Sequence, residues 1–322
     1  ELYGGPSTDY IKHGVPEEYN QTTWCAEKAI EFIHEQKGDP WFFSYNCFAP
    51  HHPFDPPADF LAHYNPDELP LPKEKPNELE TKTTFQQLDG EFAHNDPSSY
   101  DIARMTDRDK KEIIAAYYAM VELIDKQVGR MAAALEETGQ LDNTIVIFMS
   151  DHGEMLGDHG FYLKGPHFYD EAVRVPLIFS WKDRFVADLR ADCLMELIDI
   201  APTLLEAASI EIPEYIQGRT MMPILLGQAN ASQHRDYVFS EYYNAWTHKH
   251  SYGSMLRTRD QKIVVYHGTD QGELYDLKND PDEFENLWSV REHAELKLRL
   301  MKACFDASVF TMDPSPPRLG SF

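Results

Sequence analysis

The sequence predicts an α/β protein in which helices sandwich a sheet, followed by a small C-terminal α+β subdomain with an antiparallel sheet and one helix. Three patterns lead to this prediction. The β-branched apolar run at 144–149 has the length and composition of a buried parallel strand. An apolar stripe with helical spacing precedes it, between residues 106 and 139. After about residue 230, short runs separated by turn residues indicate the antiparallel sheet.

The first elements are a helix and a buried strand. The helix is expected to begin at Thr22 or Thr23, whose hydroxyls suit an N-cap, and to run to about Gln36. Gly38 follows and favours the left-handed backbone that commonly ends a helix. The aromatic-rich run at 41–47 then predicts a buried strand.

A long excursion separates this strand from the longest helix. Residues 53–105 are dense in Pro, Asp and Asn, and irregular segments of this length are usually functional. Thr106 can cap the helix that follows, and Gly139 can end it. Apolar residues three and four apart predict its core-facing stripe, at Ile114, Tyr117, Val121, Ile124, Val128, Met131 and Leu135.

The remaining elements divide between the main sheet and the subdomain. A second strand is expected at 175–181 and another helix at 195–208. The strands of the subdomain are expected at 254–258, 262–266 and 273–277, and its helix near 290–306. We therefore divide the chain into residues 1–230, which carry the main sheet, and residues 231–322, which form the subdomain.

Composition limits the classes of partner. The 322 residues are 42% apolar, which is enough for a sizeable core. With 29 basic against 54 acidic residues, the net charge of −25 argues against nucleic acid, whose binding depends on Lys and Arg. An anionic substrate would be repelled at long range. Its attraction must therefore be local, from a metal ion and from cations such as Lys164 and Arg174.

The sequence gives only weak indications of the compartment in which the protein functions. No apolar run approaches the ~20 residues of a membrane span, and residues 1–30 lack a basic-then-apolar signal pattern. Four cysteines at irregular spacing indicate buried or free thiols, with one structural disulfide as the alternative. The compartment stays open, with a slight preference for a periplasmic or secreted protein.

The strongest chemical signal lies at 150–164, directly after the strand predicted at 144–149. Asp151 and His152 would lie at the carboxyl end of that strand, where open α/β sheets bind their ligands. Asp151 offers a hard oxygen and His152 a neutral nitrogen, a donor pair for a divalent metal ion. Gly153 lets the backbone turn away from both. The competing interpretation is an ordinary Asp-His-Gly turn on the surface.

Five blocks of sequence span nearly the whole chain. They are APHHPFDPP at 49–57, SDHGEMLGDHGFYLKG at 150–165, RVPLIFSW at 174–181, DIAPTLLEAASIEIPEYIQGRTMMPILLG at 199–227 and GELYDLKNDPDEFENL at 272–287. In this order they resemble the sulfatase family of the alkaline phosphatase superfamily, which has phosphonate monoester hydrolases among its relatives. The resemblance implies an alkaline-phosphatase-like fold and a metal-dependent hydrolase of sulfate esters.

The resemblance also assigns roles to four residues. Asp151 and His152 match the two carboxy-terminal ligands of the family's divalent metal, usually Ca²⁺ in sulfatases and often Mn²⁺ in phosphonate monoester hydrolases. Lys164 matches the lysine that contacts the transferred anion and the nucleophile. His51 matches the histidine near the leaving group, a candidate to protonate it. We expect Ca²⁺, with Mn²⁺ as the alternative, because aspartate suits calcium whereas imidazole favours manganese.

Weaker candidates surround these four residues. His52 competes with His51 for the acid role and is otherwise expected to contact the substrate. His167 lies close enough in sequence to line the pocket and is the second candidate for substrate binding. A structural role is the better interpretation for the remaining candidates, Asp158, His159, Glu171, Arg174, His248 and His250.

The nucleophile of the family has no counterpart in this chain. It is a cysteine oxidised to formylglycine in a Cys-x-Pro/Ala-x-Arg motif, with an acidic pair of metal ligands upstream. Cys47 heads the nearest imitation, but His51 stands where the motif needs arginine. We therefore expect the chain to correspond to the part of a sulfatase that follows the nucleophile. The missing N-terminal segment, with its formylglycine, is an expected partner, and the chain alone should be inactive.

Three functions follow from these observations. The first is hydrolysis of a small-molecule or saccharide sulfate ester, either a carbohydrate or an aryl sulfate. The second is hydrolysis of a phosphonate or phosphate ester, since such relatives share the Asp-His pair, the lysine and the histidine. The third is a non-catalytic binding protein, if these residues are the whole gene product.

Overall fold

The computed structural model describes residues 10–12, 14–36, 38–95, 100–244 and 251–311, without the side chains of 92–95. Within these ranges the chain forms helices and two small antiparallel sheets. The α-helices are α1 (Gln21–Glu35), α2 (Ala58–Leu61), α3 (Thr84–Asn95), α4 (Asp107–Glu137), α5 (Asp170–Val173), α6 (Ile200–Ala207), α7 (Met222–Leu225) and α8 (Ala294–Phe310). The strands are β1 (Val146–Met149), β2 (Leu177–Ser180), β3 (Val238–Tyr243), β4 (Tyr252–Arg257), β5 (Gln261–Tyr266) and β6 (Gly272–Asp276).

Short 3-10 helices occur in the connections between these elements. They are Glu17–Tyr19, Pro66–Glu68, Glu78–Thr81, Ile102–Arg104, Leu141–Asn143, Asp158–Gly160, Leu197–Asp199 and Arg291–His293.

Helix α1 begins next to the residue that caps it. The side chain of Asn20 accepts a hydrogen bond of 2.9 Å from the Thr22 amide. The cap is therefore Asn20 and not Thr22 or Thr23, whereas the predicted end of the helix at Gln36 is confirmed. Ile33 packs α1 against α4.

The long helix α4 has the capping that the sequence predicts. Thr106 and Asp109 bond to each other's backbone amides in a capping box, and Gly139, with a φ of 69°, follows the last turn. Val121 is 40% exposed, because the packed face includes the neighbouring Leu123 in its place. The members of the predicted stripe that are buried are Ile114, Ile124 and Leu135.

Strands β1 and β2 pair antiparallel, with Val146 opposite Ser180 and Met149 opposite Leu177. The run at 144–149 was predicted to be a parallel strand, but its pairing within the described residues is antiparallel, so this prediction is wrong. The burial also differs, since Met149 is 41% exposed and Ile178 is 59% exposed. An apolar composition indicates that a strand can be buried on both faces, but it specifies neither the neighbouring strand nor its direction.

The run at 41–47 forms no strand, which corrects the second strand prediction. A strand needs a hydrogen-bonded neighbour, and no ladder to this run occurs among the described residues. Trp41 is held differently, through a hydrogen bond of 3.0 Å from its indole to the Gln140 side chain. Phe42 is 75% exposed on the same run.

Two further segments depart from their predicted form. The excursion at 53–105 is less irregular than expected, because it contains α2 and the 12-residue α3. Helix α6 begins at Ile200, five residues after the predicted start at 195. Glu196 and Asp199 form a capping box around a 3-10 turn before it, which delays the helix.

The C-terminal sheet and helix are confirmed. Strands β3 to β6 form one antiparallel sheet in sequential order. The predicted strands correspond to β4, β5 and β6, and β3 is an addition that the sequence pattern did not indicate. Leu300 and Cys304 of α8 pack on Leu256, Ile263 and Leu274 of the sheet, so the helix and the sheet share one core.

Two other expectations concern the state of the cysteines and the presence of a membrane span. All four cysteines are free thiols, as the sequence indicated. No helix in the described part of the chain combines the length and apolar character needed to cross a membrane. His248 and His250 lie outside the described residues.

Candidate active site

Two segments that are distant in sequence, one with His51 and one with His152 and Lys164, meet at one place on the molecule. The Lys164 ammonium donates a hydrogen bond of 2.8 Å to His51 Nε2, across 113 positions of sequence. The ring of His152 lies 6.2 Å from that of His51, centroid to centroid. The ring of His52 lies 4.3 Å from His51. Four of the six predicted site residues are therefore within a single cluster, and Asp151 adjoins it through His152.

The hydrogen bonds of His51 indicate which nitrogen carries its proton. Nδ1 lies 2.8 Å from the carbonyl oxygen of His52, which can only accept, so Nδ1 is the donor. Nε2 is then the acceptor for the ammonium of Lys164. The neutral imidazole is thus oriented by its own backbone, with Nε2 directed to the lysine.

Asp151 and His152 project from the turn after β1. The His152 amide donates to Asp151 Oδ1 at 3.0 Å, and His152 Nδ1 donates to the Gly153 carbonyl at 2.8 Å. This leaves the lone pair on His152 Nε2, which lies 3.9 Å from Asp151 Oδ2. The Asp151 side chain is 83% exposed. Asp151 Oδ2 and His152 Nε2, which are 3.9 Å apart, could therefore both offer a lone pair to a metal ion.

The backbone approach behind this turn is very close. A Cβ added at Gly153 would lie 1.9 Å from the carbonyl oxygen of Glu171, so no other residue fits there. Gly153 also donates its amide to the Ala172 carbonyl at 2.8 Å. The glycine therefore fixes the turn that carries Asp151 and His152 against the backbone of α5.

Glu154 is a site residue that sequence reasoning missed. Its carboxylate accepts hydrogen bonds from the amides of Leu163 and, at 3.2 Å, Leu156. Burial raises the pKa of Glu154, and the two amides, Lys164 and His152 act in the opposite direction. Glu154 ties the turn after β1 to the residue before Lys164. Only its position directly after Asp-His-Gly could have drawn attention to it.

Lys164 is presented by a turn with left-handed backbone on both sides. Leu163 has a φ of 65° and Gly165 a φ of 47°. A Cβ at Gly165 would lie 2.6 Å from His167 Cδ2 and 2.9 Å from Asp89 Oδ2. The turn therefore rests directly on the side chains of His167 and Asp89.

His167 and His52 occupy different surroundings, although both were predicted to bind substrate. The His167 side chain is 1% exposed, and its Nε2 lies 2.8 Å from Asp89 Oδ2. It therefore lies beneath the turn that carries Lys164. The His52 ring contacts Tyr100 at 6.1 Å, and burial, then His51 and Lys164, lower its pKa. His52 is thus held neutral beside the cluster.

The second Asp-His pair has structural contacts, in line with the sequence expectation. His159 Nδ1 lies 2.6 Å from Glu78 Oε1, and its ring stacks on Tyr169 at 4.0 Å. Asp158 accepts the Lys73 amide at 2.6 Å. These side chains connect the loop to the 53–105 excursion, and among the described residues no three His, Cys, Asp or Glu form a metal-binding group.

The C-terminal sheet holds the far end of the same loop. Lys262 of β5 is fully buried and donates to Asp170 Oδ1 at 2.6 Å and to the Phe168 carbonyl at 2.9 Å. Its ammonium also lies 2.6 Å from Glu283 Oε1, an ion pair without hydrogen-bond alignment. Glu283 accepts the Asp170 amide at 2.7 Å through Oε2. Sequence reasoning did not identify this network, because Asp170 lies 92 positions from Lys262 and 113 positions from Glu283.

Charge is nearly balanced within this network. Burial opposes ionisation of Asp170, but Lys262 and Arg257 outweigh it and lower the pKa of Asp170. Burial raises the pKa of Glu283 to about 7, with Lys262 and Asp170 acting in opposite directions on it. Two carboxylates thus share one ammonium, and Arg257 reaches only Asp170, at 3.2 Å.

Two family models match the chain. The model described as Sulfatase matches residues 3–210. The model described as N-sulphoglucosamine sulphohydrolase, C-terminal, matches residues 157–308. Their overlap contains Lys164, His167 and Asp170.

Curated proteins also match over much of the chain. An arylsulfatase of Clostridium perfringens is 30% identical over 297 residues, which cover 88% of this chain and 56% of that protein. An N-acetylglucosamine-6-O-sulfatase of Bacteroides thetaiotaomicron is 35% identical over 191 residues, which cover 58% of this chain and 34% of that protein. The chain thus spans about half, or less, of the length of these relatives.

Solved structures share the architecture. The phosphonate monoester hydrolase SpPMH of Silicibacter pomeroyi matches 97% of this chain and 67% of its own, with a TM-score of 0.85 and 25% identity. The phosphonate monoester hydrolase of Agrobacterium radiobacter matches 95% of this chain and 64% of its own, with a TM-score of 0.84 and 26% identity. These likenesses confirm the predicted alkaline-phosphatase-like α/β class.

Proposed function

We propose, since this chain belongs to the sulfatase family, whose model matches residues 3–210, that it supplies the acid, the anion-binding cation and part of the metal site of a sulfate ester hydrolase. The observation that carries the proposal is the hydrogen bond of 2.8 Å between Lys164 and His51. It joins an ammonium and an imidazole from separate parts of the sequence beside the donor pair Asp151 and His152. Cleavage of a sulfate ester needs these groups, because negative charge must be balanced and the leaving oxygen protonated.

Lys164 is proposed to bind the sulfuryl oxygens. Its ammonium has three N–H donors, and the contact with His51 uses one of them. No other acceptor among the described residues takes the remaining two, which can donate to an oxyanion, and a compact ammonium suits a tetrahedral anion. This local cation answers the repulsion expected from a net charge of −25.

His51 is proposed to protonate the leaving oxygen. Its Nδ1–H is engaged by the His52 carbonyl, so His51 must first gain a second proton, on Nε2, to act as the acid. In that form Nε2 donates to the leaving oxygen instead of accepting from Lys164. Nε2 is also the atom that contacts Lys164, so the acid and the cation face the same point. An ester whose bridging oxygen and sulfuryl oxygens lie at this point would meet both groups.

Asp151 and His152 are proposed as two ligands of a divalent cation. They fit such an ion because the Nδ1 bond to Gly153 leaves the His152 Nε2 lone pair beside the Asp151 carboxylate. When bound, the ion would neutralise charge on the sulfuryl oxygens. We propose Ca²⁺, with Mn²⁺ as the alternative. Two donors do not complete a coordination shell, so further ligands would come from outside this pair.

The nucleophile is proposed to lie outside these 322 residues. None of the four cysteines heads a Cys-x-Pro/Ala-x-Arg sequence, which formylglycine formation in this family requires. The substrate is proposed to be a carbohydrate or aryl sulfate. Relatives named arylsulfatase and N-acetylglucosamine-6-O-sulfatase support these two classes.

The test compares leaving groups in the full-length gene product. A nitrophenolate leaves without protonation, whereas a sugar alkoxide does not. His51→Ala should therefore slow hydrolysis of a sugar sulfate by about 10²–10⁴-fold and that of nitrophenyl sulfate far less. Lys164→Ala should slow both, because both esters carry the same anion.

Matched controls come from exposed residues of the same types. His63 and Lys28 pair only with surface carboxylates, so His63→Ala and Lys28→Ala should retain the parent activity. Equal slowing of the two esters by His51→Ala would exclude the general-acid role. Full activity of Lys164→Ala would exclude the anion-binding role.

A phosphonate monoester hydrolase is the second candidate. Its support is the fold likeness to two such enzymes, at TM-scores of 0.85 and 0.84. Assaying one aryl group as the sulfate, the phosphate monoester and the phenylphosphonate separates the candidates. A higher kcat/KM for the phosphonate than for the sulfate would favour the second one. No turnover of any of the three by the full-length product would support a binding protein instead.

A further inference from the structure

The turn that presents Lys164 lies directly on a hydrogen-bonded pair of side chains. His167 Nε2 donates a hydrogen bond of 2.8 Å to Asp89 Oδ2, and the His167 side chain is almost fully buried. A Cβ at Gly165 would lie 2.7 Å from His167 Nε2 and 2.9 Å from Asp89 Oδ2. The backbone of Gly165, one residue after Lys164, therefore packs on the two atoms that share this hydrogen bond.

The pair connects the turn to helix α3, which carries Asp89. This helix is itself fixed to the protein through Gln86, which is fully buried. The Gln86 side chain donates hydrogen bonds of 2.8 Å to the Tyr169 hydroxyl and 3.1 Å to Glu273 Oε2. Glu273 belongs to β6. Asp89 is therefore an acceptor held in place by a helix that is bonded to the C-terminal sheet.

The orientation of the His167 ring depends on Asp89. One contact of the ring is with Phe161, at 4.5 Å between centroids, and it is apolar. His167 Nδ1 is buried and has no hydrogen-bond partner among the described residues. Within this part of the chain, the bond to Asp89 is thus the hydrogen bond that orients the imidazole. Without it the ring could turn against Phe161, and Gly165 would lose the surface on which it packs.

We propose that Asp89 and His167 are positioning residues that hold Lys164 in reach of His51. The inference rests on the proposed hydrolase function, and it gives His167 a role beneath the turn in place of a substrate contact. The Lys164 ammonium lies 2.8 Å from His51 Nε2, but Lys carries its charge on a flexible stem. The backbone at the start of that stem must therefore be fixed. A displacement of about 1 Å can cost about 10²-fold in rate, although no reacting group is removed.

The first test measures kcat/KM for nitrophenyl sulfate in the full-length gene product. Asp89→Ala should lower it by about 10–100-fold through displacement of the turn. Asp89→Asn should retain most of the activity, because its amide oxygen can still accept from His167 Nε2. His167→Phe keeps a ring beside Phe161 but removes the donor, so it should resemble Asp89→Ala. Glu122→Ala is the matched control, since it breaks a surface pair with His63 and should behave as the parent does.

A double-mutant cycle separates positioning from a general structural role. If Asp89 acts through Lys164, Asp89→Ala should cost little further activity in a Lys164→Ala background. Losses that multiply in the double variant would overturn the inference, because Asp89 would then act independently of the lysine. Parent-like activity of both Asp89→Ala and His167→Phe would overturn it too. If Asp89→Ala does not fold, the cycle of His167→Phe with Lys164→Ala gives the same comparison.

Crystal structures of the full-length parent and of Asp89→Ala provide a measurement that needs no turnover. The distance from Lys164 Nζ to His51 Nε2 should exceed hydrogen-bonding range in the variant, and an unchanged contact would contradict the inference. Loss of the contact in a protein that hydrolyses no ester would support the positioning role and refute the proposed function. Hydrolysis by a parent whose Asp89→Ala variant is equally active would do the reverse.

Discussion

Replacing Lys262 by methionine should lower the free energy of unfolding by about 3–5 kcal/mol at about pH 8. The fully buried ammonium contacts three oxygen atoms within 2.9 Å, on Asp170, Glu283 and the Phe168 carbonyl. Methionine fills much of the volume but donates nothing. It leaves the buried Glu283 carboxylate without the ammonium that pairs with it, and it leaves the Phe168 carbonyl without the Lys262 donor.

The loss in free energy of unfolding depends on the pH at which it is measured. The pKa of Glu283 is about 7, so below that pH the carboxyl is largely protonated even with Lys262 present. Removing the ammonium then leaves less uncompensated charge. The loss should therefore be larger at about pH 8 than at about pH 5.5, where the neutral carboxyl costs less to bury. Asp170 keeps Arg257 at both pH values.

Urea unfolding of the parent and the variant measures this difference through the shift in midpoint. Lys302→Met is the control, because the side chain of Lys302 is 68% exposed in its pair with Asp306 and should contribute less than about 1 kcal/mol. Hydrogen exchange of the amides at 167–170 should also speed up in Lys262→Met, since this segment loses its anchor. An unchanged midpoint and unchanged exchange would refute the reasoning that this buried network holds the loop.

Three other predictions follow from the site and its surroundings. Asp151→Asn in the complete protein should lower divalent metal occupancy by elemental analysis, and equal occupancy in variant and parent would remove this residue from the metal site. Glu283 has a folded pKa of about 7 against an ordinary 4.5, so the folded state holds more protons between these values and its stability contribution is lost as pH rises through them. The melting temperature of Glu283→Gln should therefore fall less than that of the parent from pH 4.5 to 7. Residues 1–322 by themselves should hydrolyse no nitrophenyl sulfate, and enzyme-like rates without any upstream peptide in the mass spectrum would place the nucleophile within them.

The sequence was most informative where structure depends on near neighbours. The cap at Thr106 and the stop at Gly139 need only a few residues, and both were predicted. The direction of β1 and the absence of a strand at 41–47 depend on which distant segments pair, and local composition carries no record of that.

The same distinction between near neighbours and distant segments applies to the candidate site. Asp151, His152 and Lys164 were predicted as site residues because they lie within one block after a strand. His51 was proposed from family resemblance alone, and its contact with Lys164, 113 positions away, was not predicted. Glu154 and Asp89 were missed, because a carboxylate that supports a turn differs from a surface carboxylate only in what packs around it.

The C-terminal sheet belongs to the architecture of the site. The loop that presents Lys164 is fixed near its start by Glu154, which accepts the Leu163 amide, and at its far end by Asp170. Asp170 is held by side chains of β4 and β5 and by Glu283. The anion-binding role proposed for the Lys164 ammonium needs such support, because Lys carries its charge on a flexible stem. Separating the last 92 residues from 1–230 would therefore remove one of the two anchors of the loop. No described residue of the sheet contacts His51. Changes in the sheet should therefore alter catalysis through the position of Lys164.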